Sequence, residues 1–205
     1  MKNKNAIIAN ISLVIFELVS MILSLCLYHK YDLIYYTQDS NLLSLMASFI
    51  YLIYLYKGEV PKWVSIFKYI SVLGLTVTFL VALFILTPMY NFNLALLFFE
   101  PSMFFNHLFC PILAFYSFVF VESHVINGWR DNIRACYFTI FYGVLTIILN
   151  ILNVIEGPYP FLYVYKNPVY VSVLYFLLIV GGSFGISSLI GRIKNERQKR
   201  IIKNN

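Results

Sequence analysis

The sequence has little charge and almost no cysteine. Only 12% of its 205 residues are Asp, Glu, Lys or Arg, whereas 60% are hydrophobic. A soluble domain of this length could not bury so much apolar surface, so the composition indicates an integral membrane protein. The three cysteines, Cys26, Cys110 and Cys136, form neither a C-x-x-C pair nor a cluster with histidine. This argues against a metal or redox site, and we expect no metal and no cofactor.

A metalloprotease signature and a nucleotide-binding signature are also absent. There is no H-E-x-x-H helix motif and no G-x-x-x-x-G-K-[ST] phosphate loop, so metalloprotease and nucleotide-binding functions lose support. The formal charge of +6 would suit nucleic acid. Most of it, however, lies in short segments that flank apolar runs, where it is better explained by membrane orientation. We therefore expect a lipid bilayer as the partner and no nucleic acid.

Apolar runs of about 20 residues, the length needed to cross a bilayer, divide the chain into six predicted spans. They cover about 6–28, 37–56, 63–87, 103–121, 133–154 and 169–193. The first run is too long for a signal peptide, so we interpret it as a retained span. No linker is long enough to mark a second domain. The sequence therefore predicts a single all-α membrane domain with six transmembrane helices, followed by a short, basic, frayed tail over 194–205.

The basic residues are distributed unevenly over the predicted loops. In a six-span topology thirteen of the fifteen Lys and Arg residues fall on one side, and only Lys30 and Lys166 fall on the other. Because positive residues are retained in the cytoplasm, this bias predicts that both termini are cytoplasmic. We expect a multi-pass protein of the cell membrane.

Polar side chains converge on the outer ends of the predicted spans. Thr37, Ser40 and Asn41 have the i, i+3, i+4 spacing that places them on one face of span two. His107 lies about one turn into span four. Glu156 and Tyr159 follow span five on the same side. Polar groups inside lipid are costly and tend to mark functional sites, so we single out Thr37 and His107 as a pair that can meet.

Each candidate also has a purely structural explanation. Thr37 can cap its helix, and His107 can be a neutral, buried residue bonded to a neighbouring helix. Pro111 has no N–H, so the carbonyl of His107 is expected to lose its partner and the helix can kink there. Glu17, midway along span one, and Asp39 can orient the imidazole. Alternatively, Glu17 bonds a hydroxyl and Asp39 stabilises a helix N-terminus.

A threonine beside a histidine suits acyl transfer. The hydroxyl attacks a carbonyl while the imidazole removes its proton, and water then releases the acid from the acyl-enzyme. A largely apolar bundle lets the chains of a lipid substrate enter from the bilayer. Oxyanion donors are required as well, and Ser40, Asn41 and the first backbone N–H groups of span two are candidates.

The order of several short motifs resembles a known family. These motifs are Tyr36-Thr37, Ser40-Asn41-Leu42-Leu43, Leu86-Thr87-Pro88, Asn106-His107 with Pro111, and Gly157-Pro158-Tyr159-Pro160-Phe161. Together they resemble the androgen-induced-gene (FAR-17a-like) membrane family, in particular its small bacterial six-span members. The resemblance implies a transmembrane threonine hydrolase of fatty acid esters of hydroxy fatty acids, with Thr37 as nucleophile and His107 as its partner.

Two other classes of function remain open. The polar cluster can instead line the ligand pocket of a small transporter or lipid-binding protein, although the two halves of the chain show no convincing internal repeat. The protein can also be a non-catalytic assembly partner. In that case Gly181, Gly182 and Gly185 would form a surface for close helix packing.

Overall fold

The computed structural model describes residues 2–29 and 32–203, with the side chains of Lys2, Asn3 and Ile202 left out. Lys30, one of the two basic residues predicted on the outer side, lies outside the described residues. In the described part of the chain six long helices follow one another: α1 (Lys2–Tyr28), α2 (Tyr36–Tyr56), α3 (Lys62–Met89), α4 (Pro101–Val121), α5 (Gly128–Ile151) and α6 (Val169–Lys203). Short helical turns at Ala95–Phe99 and Pro160–Leu162 complete the described secondary structure.

The predicted all-α class is confirmed over the described residues, and five of the helices are long and apolar enough to cross a membrane. The exception is α2. It has 21 residues, enough for about 30 Å of helix, but its first turns carry a run of polar side chains. These polar side chains are buried, as expected for an element that faces the inside of a bundle. The buried polar residues of α2 are Thr37, Gln38, Ser40, Asn41, Ser44 and Ser48.

Side-chain contacts define two ends of the bundle. At the first, the start of α2 meets the start of α4 and the loop between α5 and α6, through Thr37, His107 and Tyr159. We call this the site end. At the second, the start of α1 meets the end of α4 and the last turns of α6, through Asn10, Glu122 and Lys194. We call this the basic end, because Lys57, Lys62, Arg130, Arg134 and the positive residues of α6 lie there.

The centre of the bundle is built around α3. Tyr69 is fully buried, and its ring stacks on Phe118 of α4 at a centroid distance of 5.0 Å. Its hydroxyl donates to Asn132 of α5 at 3.0 Å and also contacts the Ser187 carbonyl of α6. One side chain of α3 therefore contacts three other helices. Through these contacts Tyr69 holds α4, α5 and α6 around α3.

The tail predicted to fray is instead a continuation of α6, which extends to Lys203. The reason lies at the end of α4, where backbone carbonyls have no partner within their own helix. Lys194 donates to the carbonyls of Phe118 and Glu122, and Arg197 donates to that of Val119. Lys194 is fully buried and lies over the Phe118 ring. Positive side chains are stabilised at a helix C-terminus, so α6 is ordered where it covers α4.

We expect Lys194→Ala to destabilise the fold strongly. It leaves two buried carbonyls without a donor and removes a positive charge beside Glu122, and breaking such a buried pair costs about 3 kcal/mol or more. Thermal unfolding in detergent measures the effect. Lys199→Ala removes an exposed charge from the same helix and should leave the midpoint unchanged. Equal midpoints for the two variants would contradict a structural role for the end of α6.

Candidate functional site

Thr37 and His107 are brought within hydrogen-bonding distance at the site end. Thr37 Oγ1 lies 3.1 Å from His107 Nε2, and the other ring nitrogen, Nδ1, lies 2.7 Å from the carbonyl oxygen of Leu97. A carbonyl can only accept, so Nδ1 carries the proton of a neutral ring and Nε2 is left as the acceptor. The Thr37 hydroxyl therefore donates to Nε2. Both side chains are buried, with 8% and 5% of their surfaces exposed.

The position of His107 depends on a π-helical stretch of α4. Residues Phe104–Phe109 have i→i+5 bonding, and the Cys110 N–H donates to Phe105. In this register the residue five before Pro111 is Asn106, not His107 as the α-helical spacing predicted. The Asn106 carbonyl accepts instead from Asn41 Nδ2 at 3.4 Å. The proline thus releases an acceptor that connects α4 to α2, next to the imidazole.

Leu97 reaches the site through an irregular connection between α3 and α4. Asn91 and Phe92 have positive φ angles of 53° and 59°, which reverse the chain after α3. The short π-helical turn Ala95–Phe99 then runs back against α4. The ring of Phe98 packs edge-on to His107 at 6.1 Å. Sequence reasoning missed Leu97, because a backbone acceptor leaves no signature in the side chains.

Tyr159 completes the immediate surroundings of Thr37. Its hydroxyl lies 3.4 Å from the Thr37 backbone nitrogen and 3.5 Å from Thr37 Oγ1. Burial raises the pKa of Tyr159 to about 12, so the phenol keeps its proton at neutral pH and remains a donor. Tyr159 was one of the predicted supporting residues. Unlike the others, it contacts the threonine side chain.

Ser40 and Asn41 hold the backbone of Thr37 and do not face an oxyanion. Ser40 Oγ donates to the Thr37 carbonyl at 3.0 Å and also lies 2.8 Å from Thr78 Oγ1. Asn41 Nδ2 donates to the same carbonyl at 2.7 Å. The Thr37 N–H donates only a long bond of 3.4 Å, to the Tyr159 hydroxyl, so the candidates left for an oxyanion are this N–H and that hydroxyl. The sequence placed Ser40 and Asn41 near Thr37, but their hydrogen-bond donors are already taken by the Thr37 carbonyl.

The three acidic candidates do not contact His107. Its Nδ1 is taken by Leu97, which leaves no orienting role for Asp39 or Glu17. Asp39 lies half-buried on the first turn of α2, consistent with the alternative helix-terminus role. Glu17 is buried beside Ser44 and Cys110, deeper in the bundle. Glu156 is exposed and forms an ion pair with Lys166.

The start of α2 is held by a residue that the sequence analysis did not single out. Tyr142 of α5 accepts from the Tyr36 N–H at 2.9 Å and donates to the Ile34 carbonyl at 2.6 Å. The helix begins after Tyr35, and no cap hydrogen bond is formed by a side chain of its own first residues. The capping alternative for Thr37 is therefore wrong, since its hydroxyl is directed to the imidazole instead.

A narrow cavity of about 50 Å³ reaches Thr37 from between α3, α5 and α6. Polar groups of Thr37, Thr78, Thr139 and Tyr159 line one part of it. The rest is apolar, with walls formed by Val77, Val81, Leu86, Phe161, Leu162, Phe176, Ile179 and Val180. Such a slot suits a hydrocarbon chain whose polar end lies at Thr37.

Small residues on α6 take no part in this site. Residues 181–185 have the pattern G-x-S-x-G, but they lie within a continuous helix and not at a strand-to-helix turn, and Ser183 Oγ donates to the carbonyl of Val180. A Cβ at Gly181, Gly182 or Gly185 would meet no described atom within 4 Å. These glycines therefore do not form a close packing surface within the described chain.

We expect Gly157→Ala to disturb the loop that carries Tyr159. Gly157 has a φ of 97°, and a Cβ there would lie 2.9 Å from the Leu162 carbonyl oxygen. Gly58 is the matched control, because its φ is 86° but a Cβ would meet nothing. Both substitutions carry a conformational penalty of about 1–2 kcal/mol. Only Gly157→Ala adds a clash, so its thermal midpoint should fall clearly below that of Gly58→Ala; equal midpoints would contradict a tightly packed loop.

No protein-family model matches the chain, and neither a curated protein nor a solved structure matches it. The contacts around Thr37 and His107 are therefore the observations on which a function has to rest.

Proposed function

We propose that the protein is a membrane-embedded hydrolase of lipid esters in which Thr37 is the nucleophile and His107 is the base. The observation that carries this proposal is the hydrogen bond from Thr37 Oγ1 to a histidine whose other nitrogen donates to Leu97. A nucleophile, a base in the correct tautomer and an orienting acceptor form the arrangement common to hydroxyl-dependent acyl transfer. The resemblance to the androgen-induced-gene family agrees with these roles.

The proposal includes a topology. All six helices cross the cell membrane, with both termini in the cytoplasm and the site in the outer half of the bilayer. The concentration of Lys and Arg at the basic end supports this orientation. The buried polar face of α2 supports its assignment as a sixth span, because α1 and α3 shield that face from lipid.

In the first step Thr37 Oγ1 attacks the ester carbonyl while its proton moves to His107 Nε2. The carbonyl of Leu97 accepts from Nδ1–H and stabilises the imidazolium that forms. The same proton then passes from Nε2 to the leaving alkoxide, which departs as an alcohol. Thr37 is left as an acyl ester. Water deprotonated by His107 hydrolyses this ester, and the products are a carboxylic acid and the free threonine.

The negative charge of the tetrahedral intermediate requires donors close to Thr37 Oγ1. The Thr37 N–H and the Tyr159 hydroxyl both lie there and belong to different elements. Because Tyr159 remains protonated at neutral pH, it can donate to the oxyanion without a change of charge. We assign both groups to the oxyanion hole.

The substrate class follows from the slot. Its apolar walls suit the fatty-acyl chain of an ester such as a fatty acid ester of a hydroxy fatty acid, with the scissile carbonyl at Thr37. A water-soluble ester with short, charged groups would gain nothing from these walls.

We expect Thr37→Ala to lower turnover of long-chain acyl esters at least about a thousandfold, because it removes the nucleophile. Thr37→Ser should retain measurable activity, and a fluorophosphonate probe should label the unmodified protein at residue 37 only. Thr76→Ala is the control, since Thr76 bonds its own helix away from the slot. Hydrolysis with intact turnover in Thr37→Ala would refute the proposal, and so would folded protein that neither hydrolyses esters nor reacts with the probe.

Tyr159→Phe should lower kcat about a hundredfold with little change in KM, because an oxyanion donor acts mainly in the transition state. Tyr163→Phe removes a hydroxyl from the same loop, at a residue whose ring lies against Lys166, and it should leave both constants unchanged. Steady-state kinetics on one acyl ester measures the difference. A rise in KM at constant kcat would show that Tyr159 binds substrate and stabilises no oxyanion.

A further inference from the structure

The buried face of α2 continues past the site into the interior of the bundle. Asn41 contacts the Thr37 and Asn106 carbonyls, Ser44 follows one turn later, and Ser48 accepts from Lys68 at 2.6 Å. Consecutive turns of a helix are separated by about 5 Å, so these polar groups form a column. It extends from Thr37 toward the basic end.

Glu17 lies at the middle of this column and is 3% exposed. The Ser44 hydroxyl of α2 and the Cys110 thiol of α4 lie beside its carboxyl group, and the charge of Lys68 of α3 acts on it. By strict hydrogen-bond geometry neither carboxyl oxygen has a partner among the described residues, although the Ser44 and Cys110 groups lie close to it. An ionisable side chain in this position is costly, and residues of this kind mark ion pathways and proton relays.

A second carboxyl group continues the column to the surface. The side chains of Lys68 and Glu122 are both fully buried, and their charged groups lie 4.0 Å apart. The charge of Lys68 also acts on Glu17. Lys194 donates to the backbone of Glu122 and adds a further positive charge. The remaining oxygen of Glu122 lies 4.0 Å from Nδ1 of His124, whose side chain is 12% exposed at the basic end.

Further polar atoms along the column have no hydrogen-bond partner among the described residues. They are Asn41 Oδ1, Ser44 Oγ, Asn106 Nδ2, Glu122 Oε2 and Asn10 Oδ1. Buried groups of this kind bind water in protein interiors, and water between them can relay protons over the gaps of one turn.

We propose that Glu122, Lys68, Glu17, Ser44, Asn41 and Asn106 form a proton-transfer path between the basic end and the Thr37–His107 site. A proton from His124 or solvent protonates Glu122, passes by way of Lys68 to the carboxylate of Glu17, and leaves Glu17 toward the water that enters the site. No electron is transferred and no covalent bond other than those to hydrogen changes. This function does not depend on ester hydrolysis.

A metal cation is a poor alternative occupant. Na⁺ or Ca²⁺ needs about six oxygen ligands, whereas Lys68 and Lys194 place positive charge beside both carboxyl groups. A proton can use the lysine, the hydroxyls and water in turn. The path should therefore select protons over alkali cations.

The test uses the full chain in liposomes that contain a pH-sensitive dye and no ester. A potassium gradient with valinomycin makes the interior negative, and the rate of internal acidification is recorded. We expect a rate at least ten times that of empty liposomes, and Glu17→Gln should reduce it about tenfold. Glu59→Gln removes an exposed carboxyl group and should leave it unchanged.

Ser44→Ala provides a second variant with a smaller disturbance of the fold, and we expect it to reduce the rate several-fold. Wild-type protein with no rate above that of empty liposomes overturns the proposal. So does an undiminished rate in both Glu17→Gln and Ser44→Ala. A wild-type flux of Na⁺ as large as that of protons overturns the assignment to protons. Because no ester is present, loss of hydrolysis in Thr37→Ala bears only on the proposed enzymatic function.

Discussion

Backbone polar groups inside an apolar helical bundle have to be satisfied by the chain itself, and most features of this structure follow from that constraint. At the site end, Pro111 and the π-helical register of α4 release the Asn106 carbonyl, which Asn41 then contacts. At the basic end, the last carbonyls of α4 are covered by Lys194 and Arg197 of α6. The irregular regions of α4 therefore determine which neighbouring side chains are drawn inward.

The same constraint gives α2 its importance. Its first turn is held by Tyr142 on one side and by the contacts of Thr37 on the other. The Thr37 carbonyl accepts from both Ser40 and Asn41, so the residue is fixed through its backbone as well as through its hydroxyl. Held in this manner, the proposed nucleophile loses little further freedom when a substrate binds. Ser40 and Asn41, which transfer no proton in the proposed reaction, can thus affect it by fixing the position of Thr37.

Hydropathy and charge made the helical class and the approximate positions of the helices predictable. The spacing of Thr37, together with the depth assigned to His107, also predicted that the two would meet. Depth alone does not tell which side of a helix a residue occupies, and this is why Glu17 was considered as a partner of His107 although it lies beside Ser44. The sequence did hold one signal for the side of the helix on which Glu17 lies. Glu17 follows Asn10 by seven residues, and residues so spaced share a helical face.

Other features had no signal in the sequence. The acceptor that orients His107 is the carbonyl of Leu97, and any residue can provide a carbonyl. Its position depends on the positive φ angles of Asn91 and Phe92, which lie within an apolar stretch. The order of α6 beyond residue 193 likewise depends on a tertiary contact, because a basic segment of this kind is expected to be solvated unless a buried acceptor is present.

A carbonyl in place of a carboxylate behind the histidine has a consequence for the proposed chemistry. A carboxylate would stabilise the imidazolium more strongly, but it would place a permanent charge in an apolar site and require further donors around it. Leu97 keeps the resting pair neutral and still selects the tautomer in which Nε2 accepts from Thr37. Because the imidazolium is then less stabilised, more of the catalytic effect has to come from the groups facing the oxyanion. In the proposed mechanism this places more weight on Tyr159, whose hydroxyl lies 3.5 Å from Thr37 Oγ1 and can direct its proton there.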